Sequence, residues 1–104
     1  MSSEIDLESI MGLIIFGGNA KSDAMEAIQA AKKGDFVLAN EKILAAEQSL
    51  IEAHHSQTGL LSDEAKGNKK EVSLLAVHSQ DHLMTAITFT DLTKEIVELY
   101  KIIN

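Results

Sequence analysis

The chain has 104 residues, a formal net charge of −7, and neither cysteine nor proline. The absence of cysteine excludes disulfides, thiolate chemistry and zinc sites of the cysteine type. The acidic balance, without a cluster of Lys and Arg, makes nucleic acid and anionic membranes poor partners and favours a basic protein instead.

Composition and length also limit the fold. Apolar residues make up 45% of the chain, and the lack of proline favours long uninterrupted helices over a sheet. The length predicts a single domain over residues 1–104, of the all-α class. The first residues do not have the pattern of a secretory signal, and no apolar run approaches the ~20 residues that cross a bilayer, so we expect a cytoplasmic protein.

The first helix is predicted over about residues 4–33. Ser3 and Asp6 have approximately the spacing of a capping box, and apolar residues then follow with a helical period. Gly17 and Gly18 interrupt this pattern at a cost of about 2 kcal/mol relative to two alanines. The sequence leaves two interpretations open, which are a short break in the helix or the close approach of another backbone.

The second helix is predicted over about residues 36–55. Residues 32–35, Lys-Lys-Gly-Asp, combine basic residues for the end of one helix, a glycine beyond it and an Asp N-cap for the next. Residues 57–68 contain two glycines and are predicted to form a long connection with at most one helical turn. His54 and His55 would then lie at the C-terminus of the second helix, where a cationic imidazole is stabilised whether or not it has a function.

The third helix, predicted over about residues 71–103, is too apolar for a monomer. Asn68 and Glu71 have the spacing of a capping box, and nothing after them breaks a helix of ~33 residues. A three-helix hairpin covers one face of each helix. A second apolar stripe on the third helix therefore needs a partner, most simply another copy of the chain. The longer stripe of this helix consists of Leu74, His78, Asp81, Thr85, Leu92, Ile96, Leu99 and Ile103.

A dense polar cluster lies within the third helix, in residues 77–85 (Val-His-Ser-Gln-Asp-His-Leu-Met-Thr). At about 100° per residue, His78, Asp81 and His82 share one helical face, while Gln80 points elsewhere on the same turn. Polar groups in an apolar seam cost a few kcal/mol unless they pair or have a function. The cluster is therefore the candidate functional site.

Three interpretations of this cluster remain open from the residues alone. The histidines could be satisfied interface residues, with Asp81 paired to one of them. Alternatively, His78, Asp81 and His82 could chelate one cation, as in a helical-bundle metal-binding protein. Finally, one imidazole could act as a nucleophile, with the second as its proton or charge partner.

Two segments of the sequence resemble a known family. Residues 77–85, together with residues 52–61 (Glu-Ala-His-His-Ser-Gln-Thr-Gly-Leu-Leu), are similar to the IIA component of the lactose/cellobiose (chitobiose) class of the bacterial phosphoenolpyruvate-dependent sugar phosphotransferase system. Residues 34–36 and 99–101 extend the similarity along the whole chain. The resemblance implies a three-helix antiparallel bundle that assembles into a nine-helix homotrimer.

The resemblance also implies the roles of the site residues. His78 would receive a phosphoryl group from the phosphocarrier protein HPr and pass it to a cysteine of a cognate IIB component, which serves a membrane permease, IIC. Gln80 and His82 would be the neighbours of the phosphohistidine. Asp81 would bind Mg²⁺ on the three-fold axis, one ion per trimer. The chain would thus be a phosphotransferase component for the uptake and phosphorylation of a β-linked disaccharide, without a sugar-binding site of its own.

Overall fold

The fold consists of three long helices. The computed structural model describes residues 3–69 and 71–104, with side chains described from residue 7 onward. The helices are α1 (Ser3–Lys32), α2 (Phe36–Ala65) and α3 (Leu74–Ile103), and this part of the chain contains no strand. The predicted all-α class and the number of helices are confirmed. The capping box predicted at Ser3 and Asp6 lies outside the described side chains.

The turn between α1 and α2 follows the local sequence signals. Gly34 has a φ of 79°, and its N–H donates to the carbonyl of Ala31 at 3.0 Å. The N–H of Asp35 donates to the carbonyl of Ala30 at 2.9 Å, while its carboxylate accepts from the N–H of Leu38 at 3.1 Å. This left-handed glycine after a helix end, followed by an Asp N-cap, reverses the chain and makes α2 antiparallel to α1.

The core is built mainly from small residues. Nine of the twelve buried hydrophobic residues are alanines, which allows the helix backbones to approach one another closely. Leu13 on α1 packs with Leu83 on α3 at one end of the bundle, and Ala27 and Ala31 pack with Val97 at the other. Residue numbers in α1 and α3 therefore increase in the same direction, so α1 and α3 are parallel and α2 is antiparallel to both.

The predicted end of α2 near residue 55 is wrong, because the helix continues to Ala65. Its buried residues Ala39, Ala46 and Ala53 are spaced by seven, and Leu60, the next position in this series, packs against the same core. Burial of this stripe outweighs the propensity cost of a glycine at position 59, about 1 kcal/mol. His54 and His55 are thus exposed residues inside α2 and do not cap its end.

The predicted start of α3 at residue 71 is also wrong, because the helix begins at Leu74. Its N-cap is Ser73, whose hydroxyl accepts from the N–H of Ala76 at 3.1 Å. Asn68 instead belongs to the end of α2, where its side-chain amide donates to the Asp63 carboxylate at 3.0 Å. Serine and asparagine are comparable N-cap residues, and the longer α2 leaves Asn68 at the wrong end of the connection.

Gly17 and Gly18 do not break α1, which is continuous from Ser3 to Lys32. A Cβ atom on Gly17 would lie 3.2 Å from the carbonyl oxygen of His82, whereas nothing lies within 4 Å of one on Gly18. The close approach of a second backbone, one of the two interpretations open from the sequence, therefore applies at Gly17. This contact fixes the distance between α1 and the part of α3 that carries the polar cluster.

The longer stripe predicted on α3, called the outer stripe below, faces away from the other two helices. Leu74, Leu92 and Leu99 are 86%, 55% and 56% exposed. Every other member is exposed as well, apart from the half-buried Ile96. The prediction that one chain leaves an apolar face uncovered is confirmed. Within the described residues, no helix combines the length and the apolar character needed to cross a membrane.

Candidate functional site

Two histidines of α3 form a direct pair. The Nε2 atoms of His78 and His82 lie 3.0 Å apart, within hydrogen-bond distance, and the rings meet edge-on with centroids 4.4 Å apart and planes at 87°. The spacing of four residues places them on successive turns of one face, as the sequence predicts. His78 is exposed, while His82 is half-buried beneath it.

The environment of His82 indicates which ring nitrogen carries its proton. Its Nδ1 atom is buried and has no hydrogen-bond partner among the described residues. A buried N–H without a partner is rarer in proteins than an under-used acceptor, so we assign the proton of His82 to Nε2. His82 then donates Nε2–H to Nε2 of His78, which leaves the His78 proton on Nδ1. The assignment makes Nε2 of His78 the ring nitrogen with a lone pair.

The surroundings also keep His82 uncharged. Burial lowers the pKa of His82 below its ordinary value of 6.5, and the positive charge of Lys21 lowers it further. His78 acts in the same direction, whereas the negative charge of Asp81 opposes the shift. A pKa below 6.5 leaves His82 neutral at pH 7, so it acts there as a hydrogen-bond donor and not as a cation.

Gln80 is held by a residue of α2. Its side-chain carbonyl accepts a hydrogen bond from the Gln57 amide at 2.8 Å, in a partly buried position between the two helices. As the sequence predicts, Gln80 does not share the face of the histidine pair. The contact reaches it because α2 continues beyond residue 55. Gln57 was not predicted as a site residue, and no local feature of the sequence distinguishes it.

Asp81 and Ser79 lie on opposite sides of α3. Ser79 is fully buried and its hydroxyl donates to the carbonyl of Ala76 at 2.7 Å, so only a small side chain fits there. Asp81 is exposed on the outer stripe. Within the described residues of one chain, no group of three or more His, Cys, Asp or Glu side chains could hold a metal ion. The alternative in which His78, Asp81 and His82 chelate one cation is therefore not supported.

Comparison with known proteins identifies the family. The family described as "PTS system, Lactose/Cellobiose specific IIA subunit" matches residues 8–101. The chain belongs to this family. It is accordingly a IIA component of the sugar phosphotransferase system (PTS), and the resemblance carried by residues 52–61 and 77–85 is confirmed.

Individual relatives agree over almost the whole length. The lichenan-specific phosphotransferase enzyme IIA component of Bacillus subtilis is 50% identical over 101 residues, which cover 97% of this chain and 91% of that protein. The crystal structure of the cellobiose-specific enzyme IIA from Bacillus anthracis matches with a TM-score of 0.93 and 45% identity, covering 99% of this chain and 93% of that one.

A third similar structure includes a second protein. The solution structures of the IIA(chitobiose)–HPr complex from the N,N'-diacetylchitobiose branch of the Escherichia coli phosphotransferase system match with a TM-score of 0.82 and 41% identity. The match covers 94% of this chain and 95% of that one. A relative with the same three-helix fold is thus known in complex with HPr.

Proposed function

We propose that this IIA protein is a phosphocarrier in which His78 receives a phosphoryl group from phospho-HPr and transfers it to the cysteine of a cognate IIB component. The observation that carries the proposal is the pairing of the exposed His78 with the half-buried His82, whose Nε2 atoms lie 3.0 Å apart. Membership in the IIA family and the HPr complex of a similar protein support the choice of donor.

Phosphoryl transfer requires from the protein mainly that the reacting groups are correctly positioned. The hydrogen bond from His82 to Nε2 of His78 opens, and the freed lone pair of Nε2 attacks phosphorus. The bond between phosphorus and the donor nitrogen breaks at the same time, and the donor imidazole keeps the electron pair of that bond. A neutral imidazole has this lone pair at pH 7 without an added base. In the second transfer the sulfur of IIB attacks, and His78 becomes the leaving group. Phosphoryl transfer of this kind is promoted mainly by alignment and by stabilisation of charge.

The neighbours of His78 are suited to the charge of the product. A phosphoryl group on His78 carries roughly −2 at neutral pH, and hydrogen-bond donors stabilise it best. The Nε2–H of His82 is such a donor. Gln80 lies on another side of α3, and we propose that its hydrogen bond with Gln57 supports the site by fixing this turn of α3 against α2. Asp81 has the wrong charge for this task.

We also propose that three chains associate through the outer stripe to form a nine-helix trimer. The large apolar side chains left exposed on α3 support this assembly, because contiguous apolar surface usually marks an interface. His78 lies on the same stripe and would then be placed beside a subunit boundary. The donor and acceptor proteins would approach it from solvent.

Asp81 is the proposed ligand for one Mg²⁺ on the three-fold axis of this trimer. Three carboxylates at ~4 Å separation would repel by about 4 kcal/mol per pair at an effective dielectric of ~20. The exposed Asp81 carboxylate supplies the oxygen ligand that Mg²⁺ prefers, and three symmetry-related copies would leave room for retained water. The carboxylate chemistry of Asp81 supports this proposal for the assembly, whereas the described residues of one chain form no metal site.

The metal hypothesis is tested by Asp81→Leu, with Asp91→Leu on another face of α3 as its control. Without carboxylates to repel one another, the Asp81→Leu trimer should be as stable in EDTA as in Mg²⁺, whereas the wild type and the control should lose stability in EDTA. Sedimentation and thermal unfolding with and without the chelator measure this difference. Dissociation of the Asp81→Leu trimer in both buffers would contradict the repulsion argument.

The phosphocarrier function is tested by incubation with phosphoenolpyruvate, enzyme I and HPr, followed by intact mass at alkaline pH. The wild type should gain one phosphate per chain, and His78→Ala should gain none while remaining helical by circular dichroism. His55→Ala removes an exposed histidine of α2 and should be phosphorylated normally. Phosphate that persists on His78→Ala would overturn the assignment.

The proposed pathway implies where the protein is located and which class of sugar is transported. A relay between HPr and a IIB component requires a cytoplasmic protein that reaches the IIC permease only through IIB. The similar proteins are named for lichenan, cellobiose and chitobiose, so we propose a β-linked disaccharide as the transported sugar.

A further inference from the structure

Lys21 of α1 lies near the part of α3 that carries the histidine pair. It lines a shallow groove of about 460 Å³ between α1 and α3, together with Thr85 and Phe89 of α3. Thr85 follows His82 by less than one helical turn and bonds through its hydroxyl to the carbonyl of Asp81 at 2.8 Å. The groove is therefore continuous with the part of α3 that carries the site.

Helix geometry directs the Lys21 side chain towards the site. Gly17 contacts the backbone of His82, and Lys21 follows Gly17 by four residues, or about 6 Å along the axis of α1. Side chains in a helix lean towards its N-terminus. Because α1 and α3 are parallel, the backbone of Lys21 lies beside Thr85, and its side chain extends back towards His82. The lysine side chain is long enough to cover this distance along the helix axis.

Lys21 is half-buried, and its charge is not neutralised locally. It forms no ion pair with any described residue, although other lysines of the bundle do: Lys42 pairs with Glu26, Lys94 with Glu47 and Lys101 with Glu98. A cation without an acidic partner on this side of α3 would stabilise an anion that arrives at the histidine pair.

We infer that Lys21 is a charge-positioning residue that stabilises the phosphoryl group on His78 from across the groove between α1 and α3. The inference rests on the proposed function, because it concerns the phosphorylated form. In that form the Lys21 ammonium balances part of the added negative charge and draws the phosphoryl group towards the donor of His82.

The test compares Lys21→Met and Lys21→Arg with Lys33→Met. Lys33 is exposed at the turn after α1, about 18 Å along the helix from Lys21, and its replacement changes the net charge equally. The equilibrium constant for transfer from phospho-HPr is measured from the phosphorylated fraction at defined ratios of phospho-HPr to HPr. We expect it to fall about tenfold in Lys21→Met and to stay within about threefold in Lys21→Arg and Lys33→Met.

Recovery of the equilibrium constant in Lys21→Arg, which restores the charge with a side chain of different shape, is a result that a purely structural role of Lys21 would not give. A Lys21→Met protein with the wild-type equilibrium constant, or an equal fall in Lys33→Met, would overturn this inference alone. Phosphorylation that survives in His78→Ala would overturn the proposed function together with the inference.

Discussion

The two faces of α3 differ in a way that is unusual for a helix of a small protein. The face towards α1 and α2 buries small and hydroxyl-bearing residues with only two large aliphatic ones, namely Ser79, Leu83, Ala86, Thr90, Thr93 and Val97. The outer stripe exposes larger apolar side chains, including Leu92 and Leu99. Several large apolar side chains of α3 therefore lie on a face that its own chain does not cover.

This difference separates two tasks along one helix. Small residues on the inner face allow close backbone contacts, such as that between Gly17 and His82, and these fix the geometry of the site. The outer stripe contributes little to the fold of one chain and leaves His78 accessible. Substitutions on the inner face should consequently change stability and ring geometry, while those on the outer stripe should change assembly.

The largest effect is expected from Leu92→Glu on the outer stripe. Leu92 follows Asp81 by three helical turns on the same line, so the substitution would bury one carboxylate per chain in the proposed trimer at a cost of several kcal/mol per ion. We expect monomers that remain helical, measured by light scattering and circular dichroism. Leu44→Glu, at an exposed position of α2, is the matched control and should remain trimeric. A Leu92→Glu protein that remains trimeric would show that the interface lies elsewhere.

A smaller effect is expected where α1 meets the inner side of α3. Gly17→Ala gains about 1 kcal/mol of helix propensity but places a Cβ atom 3.2 Å from a backbone oxygen, and overpacking of this kind costs about 1–3 kcal/mol. We expect a net loss in the free energy of unfolding and a shift of the His82 ring resonances. Gly18→Ala has open space and should stabilise the protein by up to about 1 kcal/mol. Equal changes in the free energy of unfolding for Gly17→Ala and Gly18→Ala would contradict the close approach at Gly17.

The smallest effect concerns two buried threonines of the inner face. The hydroxyl of Thr93 donates to the carbonyl of Phe89 at 2.8 Å, whereas that of Thr90 has no partner among the described residues. Thr90→Val should stabilise the fold by about 1 kcal/mol, because it removes an unsatisfied polar group without changing the shape. Thr93→Val should be neutral or destabilising by a similar amount. Chemical denaturation of the two variants under one set of conditions provides the comparison, and a loss in Thr90→Val would indicate an ordered partner for that hydroxyl.

The sequence predicted the features that depend on neighbouring residues. The glycine and Asp N-cap at residues 34 and 35 are local signals, and the structure contains both. The pairing of His78 with His82 follows from their spacing on one helix. The exposed outer stripe could be predicted because three helices of this length cannot cover both faces of α3.

Features that depend on contacts between helices could not be predicted from neighbouring residues in the sequence. The glycine at position 59 indicated a helix end, but packing of Leu60 against the core outweighs its propensity. The contact of Gln57 with Gln80 requires that longer α2, so a prediction that ends α2 near residue 55 cannot include it. The choice between a break and a close approach at Gly17 likewise depended on α3.

The corrected start of α3 has an electrostatic consequence for the site. With Ser73 as N-cap and Leu74 as the first helical residue, His78 lies about 6 Å along the axis from the beginning of its own helix. The aligned peptide dipoles give that end a partial positive charge, which favours anions near the first turn by several tenths of a kcal/mol. His78 lies just beyond that first turn, so the backbone of α3 contributes only a small part of this stabilisation to a doubly negative group there.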